Sequence, residues 1–414
     1  MKILRTYRPL MMWMALLLIG LIFQVLTGGL FLSPDNLVNL MKQSAIVGIL
    51  ASGMVLVMVC GHIDLSVGSM LGLLGGFAAI LTVQAGLPLP LVIVATLLAG
   101  LFIGALQGVL VAYFRIPAFI VTLGGLLIFR GLISAWMKGA TIPVAGDFRF
   151  FGNGFLNIWQ SWLLGLWSLG AGVFFIIKSW RDRKKYGMPA GNRAALAGRI
   201  MLLLVGVAGL LALFTHHAFS ASQKAVSTPI RVPESSPLYH SGAYQAAMHQ
   251  AASSLVTAQA LPMPVLVMGV LALLIGLFST RMVTGRRLFA IGGNPDAAWL
   301  SGIFIPRHIV LVFALCGSMA AVAGIIFTGR LGSAAPDAAR GYELYAIAAC
   351  VIGGTSLRGG RGTVTGALTG ALIMASLDNG MSLLNVDPFY QDIFKGAVLV
   401  AAVYLDVRGR SAPR

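Results

Sequence analysis

The 414 residues hold few groups able to make or break bonds, and those few are not arranged to do so. Neither a His-Glu-x-x-His nor a Gly-x-Ser-x-Gly pattern occurs, and the adjacent His216-His217 reads as a helix end rather than a ligand pair. Gly353–Thr363 is glycine-rich but lacks the Gly-Lys-Ser/Thr end of a phosphate loop, so it reads as a turn between two short helices. Cys60, Cys316 and Cys350 sit in apolar runs at no ligand-like spacing and read as small core residues. No catalytic centre, metal site or cofactor is expected on this chain. If ATP and Mg drive it, another chain binds them.

What the sequence offers instead is polar groups inside apolar runs, where they are costly and mark function. Asp64 and Ser66 open a helix, where either can cap it or touch a passing solute. Gln107 reads as a path-lining hydrogen-bonder or as a bond between helices. Arg130, Asp378 (with Asn379 beside it) and Lys395 fall between the middle of the membrane and its outer surface. Asp378 can neutralise either cation. The set is a polar vestibule or a structural ion pair.

The elements that must position these groups are membrane spans. Of the residues, 58% are apolar and 10% charged, and mean hydropathy is +0.90. Soluble domains carry about a quarter charged residues. Apolar runs long enough to cross a bilayer fall near 9–31, 44–60, 66–84, 88–112, 117–137, 161–177, 200–218, 262–280, 308–328, 343–357, 363–378 and 390–406. The expected fold is an all-α polytopic bundle of about twelve spans in one domain over 1–414. It carries a basic loop at 178–199, an outer loop at 219–260 and a cytoplasmic segment at 281–307. The first run reads as an uncleaved helix, being too long for a signal peptide and lacking a cleavage site.

Net charge is +17, which in a soluble protein would suggest nucleic acid. Here the cations sit in short loops. With the N-terminus inside, the inner segments hold 20 Lys/Arg, the outer loops 7 and the spans 2. That asymmetry puts both termini in the cytoplasm. An internal echo also appears: Gly104-Ala-Leu-Gln-Gly-Val-Leu-Val111 in the fourth span and Gly366-Ala-Leu-Thr-Gly-Ala-Leu-Ile373 in the eleventh. Each is followed by a proline loop and a basic-Gly pair, Arg130-Gly131 or Lys395-Gly396. An offset of seven spans would invert one copy relative to the other, as in many transporters.

One polar segment remains, Gly285 to Ile303. Asn294 can cap a helix, Pro295 suits its first position, Asp296 favours its positive end and Gly302 can end it. The resulting helix is too short to be stable alone. It presents Trp299 and Leu300 outside the lipid, either as a knob for a soluble partner or packed on its own bundle.

This segment resembles the cytoplasmic motif of permease subunits in ribose/xylose-type ATP-binding-cassette sugar importers. So do Ile63-Asp-Leu-Ser-Val-Gly-Ser69, Pro117-Ala-Phe-Ile-Val-Thr-Leu-Gly124, Ala349-Cys-Val-Ile-Gly-Gly-Thr-Ser-Leu357 and Ile373-Met-Ala-Ser-Leu-Asp-Asn-Gly-Met-Ser382, in family order. The last block and the extra helix pair around 161–218 look most like the D-xylose permeases. The resemblance implies a homodimeric pore in the bacterial inner membrane, a cytoplasmic ATPase below and a periplasmic sugar-binding protein above. It implies pentose import by alternating access, with Gly285, Asn294, Pro295, Asp296, Trp299, Leu300 and Gly302 as the coupling segment. His62, where the family usually has Gly or Glu, and the long 219–260 loop depart from the pattern. They leave ribose, arabinose or galactose open as the sugar. The rival from another class is an ion-coupled secondary transporter, which would want carboxylates near the midplane, whereas Asp64 and Asp378 lie near span ends.

Overall fold

Long apolar runs punctuated by Pro, Gly and Asn leave the backbone one way to satisfy its polar groups in lipid, which is helix. A computed structural model describes residues 2–185, 193–227 and 259–408. Its helices are α1 (Lys2–Leu26), α2 (Pro34–Val59), α3 (Val67–Val83), α4 (Leu89–Ala112), α5 (Ala118–Trp136), α6 (Asp147–Asn153), α7 (Ile158–Lys185) and α8 (Arg193–Ser227). They continue with α9 (Met263–Arg281), α10 (Val283–Gly293), α11 (Pro295–Leu300), α12 (Ile305–Leu331), α13 (Tyr342–Ile352), α14 (Val364–Leu383) and α15 (Pro388–Arg408). Every expected run contains a helix, although 27–31 and 353–357 fall outside it. Among the described residues, seven helices are long and apolar enough to cross a membrane: α2, α4, α5, α7, α8, α9 and α12. Three shorter apolar stretches lie in α1, α3 and α13.

Several boundaries differ from the sequence reading. Helix α2 begins at Pro34, ten residues earlier than its apolar run, because Ser33 accepts from Asn36 N–H and Pro34 takes the first helical position. Lys42 and Gln43 therefore stand inside a helix. Most of the basic 178–199 stretch is helix too, shared between α7 and α8, with 186–192 outside the described residues. Of the 219–260 segment, 228–258 lies outside them; α8 runs on to Ser227 and a strand starts at Gln259.

Contacts divide the chain into two units, 1–154 with 263–414, and 155–262. In the second unit, β2 (Phe155–Asn157) pairs antiparallel with β3 (Gln259–Pro262). Helices α7 and α8 form a hairpin pressed together where Gly165 meets Leu211 and Gly172 meets Leu203.

The first unit is built around α2 and α12, which are antiparallel. Arg330 near the end of α12 reaches Asn39 near the start of α2, while Gly53 meets Cys316 and Met319. Exchanging α2 with α12, α3 with α13, α4 with α14 and α5 with α15 maps the packing onto itself. Helix α12 packs on α4 and α3 as α2 packs on α14 and α13, and α3 packs on α5 and α4 as α13 packs on α15 and α14. The α2–α12 and α3–α13 pairs map onto themselves. This is the symmetry expected of the echoed segments. Glycines in both copies make close approach possible: Gly104 and Gly108 lie on α12 backbone at Phe313 and Val310, and Gly366 and Gly370 on α13 at Gly353 and Ala349.

Two helices begin inside the bundle rather than at its rim. After α2 the chain turns back, and α3 starts beside Cys316, eleven residues into α12. After α12, β4 (Ser333–Ala334) pairs with β1 (Ile142–Pro143), and the loop re-enters so that α13 starts near Gln43 of α2. The first turns of α3 and α13 then touch. A Cβ on Gly68 would overlap the Glu343 carboxylate.

Candidate functional site

Each inner helix start carries a polar cluster, and the two differ. At α3, Asp64 Oδ1 accepts from Ser66 N–H at 2.8 Å and from Ser66 Oγ–H at 2.7 Å. Gln107 Nε2 of α4 donates to Ser66 Oγ at 2.9 Å. Val67 N–H and the Cys316 thiol lie close to the Asp64 carboxylate. Asp64, Ser66 and Gln107 are all buried. The sequence reading made Asp64 or Ser66 the cap of α3. Ser66 stands at the N-cap position but makes no capping bond there; Asp64, two residues upstream, instead holds the Ser66 N–H and hydroxyl. Gly125 of α5 closes the cluster, since any side chain there would strike Gln107. Next to it, burial holds the His62 imidazole below its ordinary pKa, so it is neutral at pH 7.

At α13, Lys395 Nζ lies 2.9 Å from Asp378 Oδ1 and 3.2 Å from Asp392 Oδ1, and it donates to the Tyr345 hydroxyl. The Lys395 side chain is 8% exposed, that of Asp378 41%. Asp378 has therefore chosen Lys395 over Arg130. Arg130 instead donates to Ala338 C=O at 2.8 Å and is attracted by Glu343 and Asp337. Asn379 turns away from the pair and exchanges hydrogen bonds of 2.8 and 3.0 Å with Asn36, tying α14 to the start of α2.

Gln43, Arg330, Tyr342 and Tyr345 join Asp378 and Lys395 around a cavity of about 80 Å³. The sequence reading missed Gln43, Arg330, Tyr342, Tyr345 and Glu343. Lys42-Gln43 was the available signal, a polar pair at the head of an apolar run that began at residue 44 only because they were excluded from it.

The third feature is the external helix. Asn294 Oδ1 accepts from Ala297 N–H at 3.0 Å, Pro295 follows at the first position and Gly302 closes the turn at φ +77°. Ala298 is buried, whereas Trp299 and Leu300 are 66% and 78% exposed and Asp296 is exposed. The base is held backbone to backbone. Gly285 abuts Phe278 C=O, Gly292 abuts Val59 C=O, and Gly360 N–H donates to that carbonyl at 2.8 Å. Val59 is the last residue of α2, so the base of the external helix touches the segment leading to Asp64.

An all-helical bundle with an inverted repeat, half-helices starting in its interior and a capped helix outside it has the architecture of a membrane permease. The chain belongs to the family described as the permease component of branched-chain amino acid transport systems, whose model matches residues 36–178 and 151–403. It is 43% identical over 397 residues to the xylose transport system permease protein XylH of Escherichia coli K12, covering 95% of this chain and 90% of that one. The Haemophilus influenzae XylH is 41% identical over 401 residues, 96% of each chain. The ribose import permease protein RbsC of Escherichia coli K12 is 33% identical over 380 residues, 91% of this chain and 87% of that one. No solved structure matches the chain.

Proposed function

We propose that this chain is the membrane-spanning subunit of an ATP-driven pentose importer with D-xylose as its substrate. The greater likeness to the xylose permeases than to the ribose permease supports that sugar. The reading places the chain in the bacterial inner membrane as a homodimer, with both termini and the 281–307 segment in the cytoplasm. A soluble ATPase binds ATP and Mg, and a periplasmic protein delivers the sugar. This chain makes or breaks no bond in its substrate and binds neither cofactor nor nucleic acid. The polar groups Asp64, Ser66, Gln107, Arg130, Asp378, Asn379 and Lys395 belong to the path or to its walls.

The observation that carries the coupling is the external helix: capped at its N-terminus, anchored by Ala298, and presenting two large apolar side chains to water. Large side chains that bury in a partner usually carry an interface. Motion at Trp299 and Leu300 is transmitted through the glycine contacts at Val59 to the segment ending at α3.

Trp299→Asp and Leu300→Asp test this. Each lowers ATPase co-purification and D-xylose uptake together, and neither affects membrane insertion or stability by more than about 0.5 kcal/mol, as for other surface changes. Normal ATPase association and uptake in both variants would refute the docking role.

A further inference from the structure

We propose that the cleft at the start of α13 is a binding subsite for vicinal hydroxyl groups, one that takes the edge of a pentose during its passage. The proposal rests on the reading of the chain as a pentose permease and adds the place of contact. Gln43 Oε1 is shielded from solvent yet has no hydrogen-bond partner among the described residues. A buried acceptor left unmatched is unfavourable, and in native proteins such an atom usually faces a water or a ligand. Its neighbours across the cavity are Arg330, Tyr342, Tyr345, Asp378 and Lys395.

The chemistry of this set narrows the ligand. Gln43 Oε1 requires a donor, which a fully deprotonated anion such as sulfate cannot supply. Arg330 and Lys395 repel a metal cation. Lys395 is already matched by Asp378, Asp392 and Tyr345, whereas the Arg330 guanidinium, with one N–H given to Asn39, has further donors to offer an acceptor. Asp378, with one oxygen taken by Lys395 and its side chain 41% exposed, accepts a further donor. A hydroxyl group both donates and accepts, so adjacent hydroxyls satisfy all three walls. The Tyr342 and Tyr345 rings, 5.4 Å apart, add apolar faces of the kind that pack against the C–H side of a sugar. The cavity of about 80 Å³ holds two to three water-sized groups at about 30 Å³ each, hence an edge and not a whole pentose.

The start of α3, the paired helix of the other repeat, offers a contrast. There Asp64, Ser66 and Gln107 satisfy one another. A purely structural pair at α13 would be expected to close in the same way.

The full chain in membrane vesicles is titrated with radiolabelled D-xylose, with unlabelled D-xylose or sodium sulfate as competitor. Unlabelled D-xylose displaces the bound sugar, sulfate does not, and Gln43→Leu weakens binding about threefold to tenfold, as expected for loss of one buried hydrogen bond. In the assembled importer, Gln43→Leu lowers the D-xylose uptake rate by a similar factor. Unchanged binding and uptake in Gln43→Leu, or equal displacement by sulfate, would overturn the subsite while leaving the function standing, provided the unmodified importer takes up D-xylose. If it does not, the function itself fails, and the subsite with it.

Discussion

Two polar clusters stand at the starts of α3 and α13, the paired helices of the inverted repeat, and only one has its buried polar atoms matched. The α3 cluster is a chain of three side chains with no buried polar atom left without a partner. The α13 cluster spreads over five helices, leaves one buried amide oxygen without a described partner, and holds a cavity. The starts of two paired helices have thus been put to different uses. The first locks the start of a helix, while the second pairs its charges and keeps an opening. Residues grouped by the sequence as one path divide between these roles once their partners are known.

The closed cluster is where substitution should cost most. Asp64→Ala leaves Ser66 N–H and Oγ–H without their acceptor in a dry site. We expect a loss of about 3–5 kcal/mol, seen as failed expression or collapse of the thermal transition in detergent. Asp64→Asn keeps one acceptor oxygen and should lose about 1–2 kcal/mol. Equal damage by both would show that the charge, rather than the acceptor, holds α3.

Next in size is a pair of glycine changes on α5. Gly125→Val forces a side chain onto Gln107 and should destabilise by about 1–3 kcal/mol. A Cβ at Gly131, six residues on, meets nothing within 4 Å among the described residues, so Gly131→Val should stay within about 0.5 kcal/mol. Equal stability of the two variants would mean that the α3 cluster has slack.

The open cluster should yield less. Removing one partner of a buried pair costs about 3–5 kcal/mol, but Asp378 is 41% exposed, Asp392 also faces Lys395 and solvent screens both. Asp378→Asn should therefore lose only about 1–2 kcal/mol. The double change with Lys395→Met should recover most of it. A loss as large as that of Asp64→Ala would place the pair in a closed site and erase the contrast.

Much of this was legible in residue order. Apolar run length located the twelve apolar helical segments, though not α6 or α10, the glycine echo exposed the repeat, and the Asn-Pro-Asp sequence placed the external helix to within a residue. What could not be read was partnership. Asp378 is equidistant in logic from Arg130 and Lys395, and only the re-entry of the 333–341 loop, which brings Ala338 and Glu343 to Arg130, decides between them. Glu343 and Arg330 were hidden for the same reason: a span reading assigns them to a loop or a rim, whereas half-helices that begin inside the bundle draw them in. Gln43 was lost to a helix start set by capping rather than by hydropathy.

The central claim is that this bundle moves a pentose on energy supplied by another chain's ATP hydrolysis. The direct measurement is D-xylose uptake into cells expressing the chain with its ATPase and binding protein, under two separate treatments. Uptake that survives collapse of the membrane potential but stops on ATP depletion, or on loss of the ATPase, is the predicted result. Uptake that persists without the ATPase and disappears with the ion gradient would contradict the account and make the chain an ion-coupled transporter.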